Sequence, residues 1–245
     1  MKQSVFISVL FLVAFAIAIV VYEYMLPQFI HDGGPLVVAL IVLTLMVTTF
    51  IVERIFSLRK ARGNDSLGRF LKHIQLEINK GDIDGAIVAC DKQRGSCANI
   101  LRNGLESYKM LSAEVDTNTK AEVMEKVQHS IDEAMMLEVP LLEKNLVALS
   151  TIASVATMVG LLGTVLGMIR SFQALARAGA PDAVQLSLGI SEALINTAGG
   201  LIAAIAAILA YNFFVTKVDN FTYLIDEASY SIVQSLGLRI TKRPK

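Results

Sequence analysis

Four uncharged apolar runs punctuate the chain, and one long polar stretch separates the second from the third. The runs are Gln3 to Tyr22, Gly33 to Val52, Asn145 to Ile169 and Ala193 to Thr216. A helix rising about 1.5 Å per residue needs about 20 apolar residues to cross the hydrocarbon of a bilayer. Every run reaches that length. A helix apolar on every side must lie in lipid or in a large core. The pattern therefore predicts four transmembrane helices. The first run follows Lys2. Its apolar core, Val5 to Val21, exceeds a usual signal-peptide core and no small-x-small cleavage site follows that core before Glu23, so it reads as a retained helix.

In the polar stretch the apolar positions recur at helical spacing. Asp65 or Ser66 caps a helix that runs to Lys80, Gly81 ends it, Asp82 caps the next, and that one stops near Gly95. A third is expected from about Cys97 to Leu111. From Thr119 the pattern is helical again and continues into the third apolar run, with only Pro140 to kink it.

Charge orients this plan. Of 44 charged residues, 29 fall between Glu53 and Lys144. The second run is followed by Arg54, Arg59, Lys60, Arg62, Arg69 and Lys72, whereas the linker Glu23 to Asp32 has no Lys or Arg. By the positive-inside rule the central domain and both termini are cytoplasmic. Lys144, Lys217, Arg239, Lys242, Arg243 and Lys245 agree, while Arg170 and Arg177 run against the rule. The expected fold is an all-α polytopic membrane protein with a helical cytoplasmic domain formed partly by extended transmembrane helices. Its divisions are 1–57, two N-terminal spans; 58–144, the cytoplasmic domain; 145–216, two further spans; and 217–245, a C-terminal helix and basic tail.

Composition adds exclusions. Lys+Arg and Asp+Glu balance at 22 each, which argues against a nucleic-acid partner. Two cysteines do not make a disulfide-built scaffold. Cys90 and Cys97 read as buried free thiols, and His31, His73 and His129 are scattered, so neither a metal nor a cofactor is expected. No Walker loop, GxSxG elbow or HExxH occurs, and the chain reads as no enzyme. Four spans without an inverted repeat do not suit an alternating-access transporter.

The last two runs carry the candidate chemistry. Ser150, Thr157, Thr164 and Ser171 recur every seven residues and form a hydroxyl stripe, while Gly160, Gly163 and Gly167 allow close helix approach. The fourth run pairs small residues at four-residue spacing, Gly199 with Ala203 and Gly200 with Ala204. The hydroxyls either bond back to the carbonyl four residues earlier or line a polar path. Thr164 follows Lys144 at the same separation at which Thr197 precedes Lys217, so in antiparallel helices both reach one depth. The same count brings Arg170 level with Glu192, and the two are expected to pair, or Glu192 to face a water-filled outer vestibule.

VGLLGTVLGMIRSF (Val159 to Phe172) and GISEALINTAGGLIAAIAAILAYN (Gly189 to Asn212) resemble the G-L-x-G-T-V-x-G and G-I-x-E-A-L-x-x-T-x-x-G-L-x-A-A-I segments of the MotA/TolQ/ExbB proton channel family, with ExbB and TolQ the nearer branches. The resemblance implies a bacterial inner-membrane homopentamer, bathed in membrane lipid, whose last two spans line a pore. Within it sits a single-span ExbD/TolR-like partner whose membrane Asp carries the proton. Proton motive force would then drive a TonB- or TolA-like protein, energising TonB-dependent transport across the outer membrane. By position, Thr164 and Thr197 are the pore threonines and Glu192 the family glutamate. Thr157 extends the stripe as a further pore-lining hydroxyl. The chain has no mid-membrane Asp or His of its own, which makes the partner a requirement.

Thr157, Leu188 and Ala206 stand where that family usually has Pro, Arg170 stands where it is usually uncharged, and the first run is additional to a three-span plan. The alternatives are a TolQ-like subunit energising envelope integrity and a non-conducting membrane scaffold.

Overall fold

The computed structural model describes residues 2–113, 120–176 and 182–242, and every regular element among them is a helix. They are α1 (Lys2–Tyr24), α2 (Gln28–His31), α3 (Leu36–Arg62), α4 (Leu67–Lys80), α5 (Ile83–Gln93), α6 (Ser96–Ala113), α7 (Lys120–Glu143), α8 (Leu146–Ala176) and α9 (Ala183–Lys242). The side chains of Lys2 and Arg239, and all of Thr119, Arg177, Arg243 and Lys245, lie outside the described residues.

Among the described residues, three helical stretches are long and apolar enough to cross a membrane: Leu36–Lys80, Ala121–Ala176 and Ala183–Leu238. The expected fourth is not among them. In α1 the described apolar stretch, Ser8–Tyr24, is shorter.

The chain divides into two units. The first, Met1–Glu53 with Asn145–Phe214, holds the most apolar helices. Its seam is lined by small side chains. Ala156, Ala203 and Ala204 are buried together with Leu43 of α3 against them. A methyl group at Gly200 would lie 2.7 Å from the Ala156 carbonyl oxygen and 2.8 Å from the Gly160 Cα, so α8 and α9 approach backbone to backbone there.

The second unit, Arg54–Lys144 with Val215–Lys245, is a helical bundle. Phe70, Ile74 and Ile78 of α4, Leu101 and Leu105 of α6, Val127 and Ile131 of α7 and Ile225, Ile232 and Leu236 of α9 share its core. The caps follow local chemistry. Gly81 takes the left-handed conformation (φ 97°) and returns its N–H to the Glu77 and Ile78 carbonyls, and Asp82 accepts from the Gly85 N–H at 2.7 Å. Ser66 occupies the cap position of α4 without capping it; its hydroxyl instead accepts from Arg69 Nε at 2.8 Å.

The expected continuous helix kinked at Pro140 is corrected. The helix α7 passes through Pro140, and the break comes at Lys144 and Asn145, where Asn145 has φ +65°. Asn tolerates this left-handed conformation. The last turn of α7 is stabilised by Arg54, 1% exposed, whose Nη1 donates to the Leu142 carbonyl at 3.0 Å. At Leu188 and Ala206 the missing prolines leave α9 unbroken over 60 residues.

Candidate functional site

The apolar spacing in α8 puts Ala153, Ala156, Gly160, Gly163, Gly167 and Ser171 on its buried face, where α9 packs. The hydroxyls at positions 150, 157 and 164 lie at the border of that face and are partly exposed, whereas Ser171 is buried and donates to the Leu186 carbonyl of α9 at 3.1 Å. Thr157 donates to the Ala153 carbonyl at 3.0 Å and Thr164 to the Leu161 carbonyl at 2.6 Å. Thr197 donates to the Ala193 carbonyl at 3.0 Å and lies 3.5 Å from that of Gly160. Carbonyls only accept, so the protons of these three hydroxyls point into the helices and their remaining lone pairs are free to accept.

The level at which Thr197 meets α8 is that of Gly160, one helical turn from Thr164. The small-residue seam sets this register. Counting from Lys144 and Lys217 does not, because α8 restarts after a break at Lys144 while α9 runs through Lys217 without one.

Arg170 and Glu192 are together. Nη1 of Arg170 lies 2.5 Å from both carboxylate oxygens, and the side chain of Glu192 is 6% exposed against 54% for Arg170. The long arginine stem covers the turn by which the register displaces the two backbones.

Two features of this corner escape a motif reading. Asn196, wholly buried, donates from Nδ2 to the Gly33 carbonyl at 2.8 Å and to the Glu192 carbonyl at 3.0 Å. Gly34, with φ +69°, lies against the carboxylate, and a methyl group there would meet Glu192 Oε1 at 2.9 Å. The available signal was an amide side chain in an apolar run, which marks an interhelical hydrogen bond in a membrane protein. Its partner, a backbone carbonyl 163 residues away in sequence, has no sequence signature.

The profile of the MotA/TolQ/ExbB proton channel family matches residues 92–227, more than half of the chain. This chain belongs to that family. Relatives include the Tol-Pal system protein TolQ of Pseudomonas aeruginosa, 38% identical over 120 residues (49% of this chain, 52% of that protein). The biopolymer transport protein ExbB of Pseudomonas putida is 27% identical over 210 residues (84% and 62%). A putative biopolymer transport protein ExbB-like 3 of Synechocystis sp. is 30% identical over 184 residues (74% and 81%). The chain thus spans about half to three fifths of the length of the first two. The MotA/TolQ/ExbB profile takes in Thr157, Thr164, Arg170, Glu192 and Thr197, and the Gly33–Gly34 turn precedes it. The family is one of proton channels and is not a class of catalysts.

Proposed function

We propose that this chain is the pore-forming subunit of a proton-driven motor in a bacterial inner membrane. It would act as a homopentamer around a single-span ExbD- or TolR-like partner and deliver work to a TonB- or TolA-like protein, energising transport across the outer membrane. In this reading α1 is a fourth span, both termini and the second unit are cytoplasmic, and the end of α8 and start of α9 face outward. Thr157, Thr164 and Thr197 line the path and Glu192 marks its outer end.

The observation that carries the proposal is the hydroxyl row on α8 and α9 inside the stretch matching the family. Because each threonine proton is committed to a backbone carbonyl, the row offers acceptors. It suits a protonated, neutral carboxyl that donates, and it offers less to the bare carboxylate. A carrier acid on the partner is then favoured on the path while loaded. The energy comes from the membrane itself, about 2.3 kcal/mol per proton per 100 mV.

The test is proton flux in vesicles holding this chain with a single-span partner bearing a membrane Asp. Thr164→Val and Thr197→Val each remove an acceptor worth about 1 kcal/mol and are expected to slow flux roughly fivefold. Flux no greater than in empty vesicles would return the chain to the scaffold reading, and flux indifferent to both changes would remove these threonines from the path. The match to the Pseudomonas aeruginosa TolQ supports a second reading, a TolQ-like role in envelope integrity. An adjacent gene for a TolA-type protein selects it, and one for a TonB-type protein selects the first.

A further inference from the structure

Two polar residues flank Glu192. Arg170 reaches its carboxylate from α8, and Asn196 bonds its backbone carbonyl from the next turn of α9. Both touch the same glutamate. We propose that Arg170, Asn196 and the Gly33–Gly34 turn form a clasp that keeps Glu192 ionised, making it a fixed anion beside the proton's route and not a group the proton visits. This deepens the function proposed above and rests on it for the position of Glu192 at the end of the path.

Each part of the clasp has a separate task. A carboxylate this buried is costly as an ion unless paired, and Arg170 supplies a guanidinium that stays charged. Gly34 closes the other side. Its bare Cα and left-handed backbone let the turn sit over the carboxylate, where any side chain would collide with Oε1. Asn196 fastens the turn, because its amide joins the Gly33 carbonyl to the backbone of Glu192 itself. The Oδ1 of Asn196 is buried without a hydrogen-bond partner among the described residues. An orphaned acceptor is costly, and the two donated bonds offset that cost.

Among the described residues, those in contact with Glu192 bring no second charge to the pair. Arg170 faces the carboxylate from α8, the turn presents backbone and a bare Cα, and α9 presents a neutral amide. Of the titratable residues just before the turn, His31 packs against Tyr22 with tilted rings whose centroids are 4.5 Å apart, and Asp32 is exposed. A proton placed on Glu192 would dissolve the ion pair and leave Arg170 unpartnered. Arg170 and Asn196 are therefore positioning residues that act through Glu192.

Infrared spectroscopy of the full-length chain in lipid nanodiscs tests the clasp without a partner. Subtracting the Glu192→Gln spectrum isolates the Glu192 band. The expected result is a carboxylate band at neutral pH, its replacement by a protonated carboxyl in Arg170→Gln, and its return in Arg170→Lys. In Asn196→Ala, amide exchange in the segment after Asp32 should rise at least tenfold. A protonated Glu192 in the unaltered chain, a band unmoved by Arg170→Gln, or unchanged exchange in Asn196→Ala overturns the proposal. If Arg170→Gln does not fold, the exchanged pair Arg170→Glu with Glu192→Arg decides: recovery of the folded chain supports the clasp and failure to recover it refutes the clasp. Loss of flux in the vesicle assay leaves this spectrum unaffected, so the two readings fail separately.

Discussion

Cys90 and Cys97, both free and buried in the second unit's core, illustrate what one side chain contributes to pH sensitivity. Burial pushes both thiols from 9.0 up to about 12, with Asp91 adding to the effect at Cys90. In the unfolded chain the thiols ionise above about pH 9, while in the folded chain they stay neutral. The stability this gives is fully present below pH 9 and is lost as pH rises from there towards 12. The apparent unfolding midpoint should therefore fall more steeply over that window in the native chain than in Cys90→Ala/Cys97→Ala. An alkylating reagent at neutral pH should label these thiols quickly only after denaturation. Their free, buried state was legible from two cysteines without a third ligand. The pairing of Arg170 with Glu192 was legible as two opposite charges at matched counts. Asn196 was visible as a residue but not as a contact, since hydrogen bonds to distant backbone leave no pattern in either segment.

At the scale of the helix, composition is read well and interruption is read poorly. Gly81 and Asp82 end and start helices because their chemistry admits little else. Pro140 breaks the rule that reads every internal proline as the weak point, and the helix is interrupted at Lys144 and Asn145 instead. That break depends on a left-handed residue, a bond from Asn145 Nδ2 to Glu53 at 3.3 Å, and a buried arginine on the freed carbonyl of Leu142. None of these is local in sequence. Replacing Asn145 by Gly keeps the backbone conformation and should cost little. Asn145→Val forces a branched side chain to positive φ and should cost about 1–3 kcal/mol, read as a lower unfolding midpoint of the full chain in detergent. The register of α8 on α9 belongs here too. It is set by where backbones can touch, at Gly160 and Gly200, and a ruler laid from the charged ends misplaces Thr164 against Thr197 by a turn.

For the molecule as a whole, the apolar runs and the block of charge were enough to read an all-helical chain with membrane-spanning stretches and a polar bundle. They did not show that one helix serves both units. Of the 60 residues of α9, the part up to Phe214 carries Thr197 in the first unit and the part from Val215 carries Ile225, Ile232 and Leu236 in the core of the second. Within the second unit the helix is unbroken, so these three core positions are locked in angular phase with one another. One residue inserted after Glu227 turns Ile232 and Leu236 by about 100° against Ile225 and should expose them, whereas a seven-residue insertion restores the phase to within about 20°. Limited proteolysis of the two insertion variants should find the first cut readily in the second unit and the second resistant. What α9 conserves through the second unit's core is therefore an angle, more than a length.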